Sequence, residues 1–195
     1  RVLGRLIGLM YFVPLVVFAL RRMIAPQLLP TLILLLILGG AQGLLGWYMV
    51  QSGLVDRPSV SKYRLTAHLG VAVAIYALMM WVLLRVGAGL SPALKHIGLP
   101  GGVLLIGVYT LILSGGFMAG TDAGFAYPTW PLMGETFVPA GYYAQGWQAT
   151  FEGVATIHFN HRMLAYAVTL LVIFFSVQTM RTGDSARVRR SAMLM

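Results

Sequence analysis

A few ionisable side chains stand inside stretches that are otherwise apolar, and their spacing is helical. Tyr63-Arg64-Leu65-Thr66-Ala67-His68-Leu69-Gly70 sets Arg64 and His68 four residues apart, and Thr156-Ile157-His158-Phe159-Asn160-His161-Arg162 sets His158 three before His161 and four before Arg162. Residues three and four apart share a helix face. Ionisable groups within a membrane helix are costly and are read first as functional. Neutral imidazole is an axial ligand for haem iron, and an Arg beside the ligand or one turn away can grip a propionate through two parallel hydrogen bonds. Gly70 and Ala72 after His68, and Ala165 after His161, are small enough to let a flat macrocycle approach the backbone. Interfacial or simply hydrogen-bonded histidines remain the plainer alternative. His158 is ambiguous, because only one of two histidines three apart normally faces a given iron. His96, beside Lys95 and Pro100, reads as a solvated loop residue, and Arg5 either snorkels outward or faces the bundle interior.

The elements that must carry these residues follow from composition. The 195 residues are 58% hydrophobic and only 10% charged, with mean hydropathy +0.81. Fourteen Lys/Arg and five Asp/Glu are too few to cover a soluble domain of this size. Apolar stretches of roughly 17 to 25 residues can each cross a hydrocarbon core of ~30 Å, and five are expected: Val2–Leu20, Leu29–Val50, Arg64–Val86, Gly102–Gly120 and Val154–Gln178. Unpaired backbone is not tolerated in lipid, and none of these stretches alternates like a barrel strand, so all five read as helices. The expected fold class is an all-α polytopic membrane protein. With no Cys, disulfides and Cys-ligated clusters are excluded.

A net charge of +9 would suggest nucleic acid in a soluble protein; here it reads as the orienting bias of inner loops, and no nucleic-acid partner is expected. If the helices alternate, Arg21, Arg22, Arg85, Lys95, Arg181, Arg187, Arg189 and Arg190 fall on one, cytoplasmic side. Asp56, Arg57, Lys62, Asp122, Glu135 and Glu152 fall on the other. The long connection Thr121–Phe151, with Tyr127, Trp130, Phe137, Tyr142, Tyr143 and Trp147, reads either as an aromatic interfacial belt or as a lid over a site that opens outward. Gly39, Gly43 and Gly46 have the small-residue spacing of a close helix contact.

An internal repeat organises the chain. Aligning Arg1 with Arg162 pairs Val2 with Met163, Leu3 with Leu164 and Gly4 with Ala165, so the matching unit would place a His just before Arg1. Gly46-Trp47-Tyr48-Met49-Val50-Gln51-Ser52-Gly53 similarly matches Gly115-Gly116-Phe117-Met118-Ala119-Gly120-Thr121-Asp122. Two similar four-helix bundles are expected: residues 1–100 carry the last three helices of the first, and residues 101–195 the first two of the second.

Taken together, Gly40 through Leu54 (Gly-Ala-Gln-Gly-Leu-Leu-Gly-Trp-Tyr-Met-Val-Gln-Ser-Gly-Leu), Tyr63 to His68, Ala119-Gly120-Thr121-Asp122-Ala123-Gly124 with Trp130-Pro131-Leu132-Met133, and His158 to Arg162 resemble the haem A synthase family. The resemblance runs over essentially the whole chain. It implies helices two to six of eight, with a first half that takes haem O as substrate and a second that holds a b-type haem cofactor. The implied reaction oxidises a ring methyl of haem O to a formyl group for terminal oxidase assembly, formally by successive hydroxylation.

By position, His68 matches the iron-ligating His of the substrate half, where Arg64 and Arg1 join it as haem-binding residues; the helical spacing of Arg64 to His68, and of Arg162 to the His158–His161 pair, makes these two arginines the expected propionate contacts. His161 matches that of the cofactor half, with Arg162 and His158 beside it. The family's Glu-x-x-His-Arg motif would end at Arg1, so its catalytically important Glu and its His would precede this chain, and the partner on helix eight would follow it; with one axial ligand missing from each haem site, these residues alone would be inactive. His158 stands where the first half has that Glu, but the Glu's role is not transferred to it. One branch of the family has a Cys pair in its outer loops; a chain without Cys fits the other. The implied setting is a bacterial inner membrane, or alternatively the mitochondrial one, with haem sites toward the outer face and a haem O synthase and terminal oxidase as pathway partners. Homo-oligomerisation is left open. Two other readings compete: a bis-His b-type electron-transfer cytochrome, and a cofactor-free transporter or assembly scaffold with His/Arg pairs along a polar path.

Overall fold

A computed structural model describes residues 2–53, 60–87 and 99–182. Arg1, Asp56, Arg57, Lys95, His96, Arg187, Arg189 and Arg190 lie outside the described residues. Long helices dominate: α1 (Val2–Leu20), α2 (Leu29–Gly53), α3 (Lys62–Gly87), α4 (Leu99–Gly120) and α6 (Val154–Thr182), with a four-residue α5 (Ala149–Glu152) before the last. The five long ones are the expected spans, each long and apolar enough to cross a membrane. Their ends run past the apolar stretches: α2 continues to Gly53, α3 starts at Lys62 and α4 at Leu99. A backbone ladder needs no apolar side chain to continue into the interfacial layer. Among the described residues there is no strand, only one isolated bridge, Met133 to Thr136. The molecule is an all-helical polytopic membrane protein.

Two compact units divide the chain, Arg1–Lys95 and His96–Met195. In the first, α2 packs on both α1 and α3. Tyr11 Oη donates to the Leu32 carbonyl at 2.9 Å, tying α1 to α2. The end of α1 is closed by Arg22, at φ 55°. Met23 N donates to Phe18 O and Arg22 N to Ala19 O, the paired bonds of a Schellman cap. That left-handed residue reverses the chain within the Arg21-Arg22 pair. Elsewhere the apolar faces of the spans are open; Leu3 and Leu20 are 75% and 80% exposed. Such surface is stable against lipid or protein rather than water.

The second unit is built on α4 against α6, where Gly107 lets the helices close: a Cβ there would sit 3.4 Å from Val168 Cγ2. Its best-buried part is the start of α6, under the α4–α6 connection. Ala123, Met133, Ala149, Thr156, Ile157 and Phe159 are all buried there. The connection is therefore folded onto the helix. Tyr143 N donates to Thr156 Oγ1 (3.0 Å), Tyr142 Oη to Asn160 Oδ1 (3.2 Å) and Trp130 Nε1 to Tyr166 Oη (2.7 Å). Phe137 and Tyr142 meet the Phe159 ring edge-on, at 6.0 and 4.8 Å between centroids. Phe125, Trp130 and Trp147 stay largely exposed, as interfacial anchors do.

Arg162 is the strongest fastener. Its Nη2 donates to Tyr127 O (2.7 Å) and its Nη1 to Leu132 O (3.2 Å). An uncharged side chain there leaves both carbonyls without a donor; the Leu132 bond is exposed, so the cost of about 1–3 kcal/mol for an unpaired buried group falls mainly on the part-buried Tyr127 carbonyl. Arg162→Ala is expected to speed proteolytic cleavage of the connection, in membranes, by about 10-fold or more. Unchanged cleavage would show that the aromatic contacts alone hold it.

Candidate functional site

His68 is half-buried on α3. Gly46 on α2 stands against its ring, where a Cβ would lie 3.4 Å from Cε1 and 3.9 Å from Nε2. One turn earlier, Gln42 Nε2 donates to the His68 carbonyl at 3.0 Å. Gln42 and Gly46 thus form one stripe, polar then absent, that seats the histidine. Nδ1 of His68 and Oε1 of Gln42 are buried and make no hydrogen bond among the described residues. Arg64, one turn before His68, lies over the Tyr48 ring, 4.1 Å from its centroid, and donates to Tyr48 Oη at 3.2 Å. Both contacts hold the guanidinium without cancelling its charge. Arg1, the other basic residue expected here, lies outside the described residues.

In the second unit, His161 faces α4. Its Nδ1 is 2.7 Å from Ser114 Oγ, and a Cβ on Gly115 would lie 3.6 Å from its Cε1. Nε2 makes no hydrogen bond among the described residues. His158, one turn earlier, is turned to the α4–α6 connection and is buried, with Tyr127 edge-on to its ring at 5.8 Å. Its Nε2 accepts from Arg162 Nε at 3.0 Å. The two histidines thus face different neighbours, and His158 has its Nε2 occupied. Arg162 spends three of its five N–H donors on His158, Tyr127 and Leu132, all neutral acceptors. Its charge and two further donors remain available to an anion. Among the described residues no three His, Asp or Glu side chains converge.

The spacing of His68, Arg64, His158, His161 and Arg162 could be read in advance; their partners Ser114, Gln42 and Tyr48 could not. The similarity of Gly46-Trp47-Tyr48 to Gly115-Gly116-Phe117 was the available signal. Both glycines prove to be the residues that meet a histidine Cε1. Arg5, left open from the sequence, is exposed.

Comparisons with known proteins identify the family. The COX15-CtaA family model, described as cytochrome oxidase assembly protein, matches residues 1–195. A haem A synthase of Parvibaculum lavamentivorans is 45% identical over 177 residues, covering 89% of this chain and 52% of the relative. Those of Nitrosospira multiformis and Rhodospirillum centenum are 42% and 43% identical, covering 100% and 97% of this chain but 57% and 52% of the relatives. The chain thus spans about half the length of the curated relatives it matches. No solved structure matches it. The chain belongs to the COX15-CtaA family of cytochrome oxidase assembly proteins, the family of the haem A synthases.

Proposed function

We propose that this chain forms the central part of a haem A synthase that oxidises a ring methyl of haem O to a formyl group, with a b-type haem as cofactor. One observation carries the reading: on α6, His161 has Nδ1 taken up by Ser114 and Nε2 making no hydrogen bond among the described residues. The donor set suits haem iron, for which a neutral nitrogen lone pair is the usual protein ligand. When bound, the b-type haem supplies electron transfer to the oxidation of the substrate haem.

The residues divide the work. His161 holds the cofactor iron. Arg162 offers its remaining N–H groups and its charge to a propionate, while His158 orients that guanidinium from behind. His68 holds the substrate iron, Arg64 is its propionate contact, and Arg1 belongs to the same half. The α4–α6 connection closes the cofactor half and keeps water from its mouth. The setting is an energy-transducing inner membrane, with haem O synthase upstream and a terminal oxidase downstream.

Protein of the relatives' full length, expressed with a haem O synthase, is expected to yield haem A or its hydroxylated precursor on pigment extraction. Haem B alone would point to an electron-transfer cytochrome, and the lack of a Soret band to a transporter or scaffold. His161→Ala is expected to deplete bound b-haem, whereas His68→Ala spares most of it and abolishes product. The reverse pattern would exchange the two halves.

Orientation has its own test, for which these 195 residues contribute no Cys of their own. Ala144→Cys in the α4–α6 connection should react with an impermeant maleimide on intact cells, and Met23→Cys after α1 should not. Labelling of Met23→Cys alone would invert the topology.

A further inference from the structure

The two histidines sit in matched places yet differ in what meets Nδ1. Gly46 and Gly115 occupy the same register, each opposite a histidine Cε1. The residue immediately before each glycine is Leu45 in one half and Ser114 in the other.

Counting protons settles the direction of the Ser114 contact. The hydroxyl carries one proton, and Ser114 Oγ has two close neighbours, Leu111 O at 2.8 Å and His161 Nδ1 at 2.7 Å. A carbonyl oxygen has no proton to give, so the contact with Leu111 is favourable only if the hydroxyl donates to it. The proton in the second contact must then come from the imidazole: Nδ1–H donates to Oγ. That fixes the tautomer with its lone pair on Nε2, the nitrogen left without a hydrogen bond among the described residues. Were the serine to donate to Nδ1 instead, its lone pairs would face those of Leu111 O at 2.8 Å. In the first half a leucine offers no acceptor, and Nδ1 of His68 is buried without a partner among the described residues.

An imidazole that donates from its distal nitrogen is held in one orientation and is a stronger base at the ligating one. Loss of such a partner typically costs 10–100-fold in metal affinity. Resting on the haem reading above, we infer that Ser114 is the positioning residue that makes the His161 half retain its haem, while Leu45, in the matched place, leaves His68 a weaker donor whose haem exchanges. A resident cofactor and a substrate that must leave as product need this difference, and one side chain supplies it.

The experiment uses detergent-purified protein of the relatives' full length, with excess apomyoglobin as haem acceptor and the Soret band as readout. Wild type should release haem in a fast and a slow class. Ser114→Ala should speed the slow class by about 10-fold and shift the b-haem midpoint potential positive, because a less basic imidazole stabilises the ferric state less. Ser114→Thr, which keeps the hydroxyl, should restore both. Leu45→Ser should slow the fast class. Unchanged release and potential in Ser114→Ala, failure of Ser114→Thr to restore them, or an unaltered fast class in Leu45→Ser would overturn the inference and leave the haem reading standing. Wild type without a Soret band would overturn both.

Discussion

The guanidinium of Arg162 organises the second unit. It sits in the first turns of an apolar helix, where a bare cation is costly and every donor needs an acceptor. Three acceptors reach it from two directions: the imidazole of His158, one turn back on α6, and the carbonyls of Tyr127 and Leu132 from the connection. Because those carbonyls belong to residues 30 and 35 positions away, one side chain converts a long connection into a packed cap. Met133, Ala123 and Thr156 are buried beneath that cap. All three partners are neutral, so the cation keeps its pull on an anion.

Each unit solves the problem of an imidazole among apolar helices in the same way on one side and differently on the other. The shared solution is a glycine on the facing helix, whose missing side chain admits the ring edge. What differs is the polar supply: Gln42 reaches past the ring to the His68 carbonyl, whereas Ser114 reaches the ring itself. The first arrangement pins the backbone and the second pins the side chain.

The five spans were legible because lipid leaves a helix as the only self-satisfied conformation for a single apolar stretch. Their ends were less so: Gln51-Ser52-Gly53 and Lys62-Tyr63 are polar enough to look like loop, yet the helices continue through them. The histidines and arginines declared themselves through helical spacing on their own elements. Their partners did not, because Ser114 and His161 are 47 residues apart and Arg64 meets Tyr48 across 16. Such pairings are fixed by helix packing, of which the sequence retains only the glycine signature. The Thr121–Phe151 connection had two readings, belt or lid; it packs on the start of α6 while Phe125, Trp130 and Trp147 stay exposed.

The length of α6 has a consequence for depth. Its 29 residues extend about 43 Å at 1.5 Å per residue, while the hydrocarbon layer is only ~30 Å thick. The surplus must be taken up by tilt or by overhang at one end. At the end carrying His158, His161 and Arg162, the cap presents exposed Trp130 and Trp147, the residue type that anchors at a headgroup layer. The slack is thus displaced to the opposite end, beyond Gln178, where Arg181 can follow the surface. A bilayer of different thickness would move that far end and leave the histidines at constant depth.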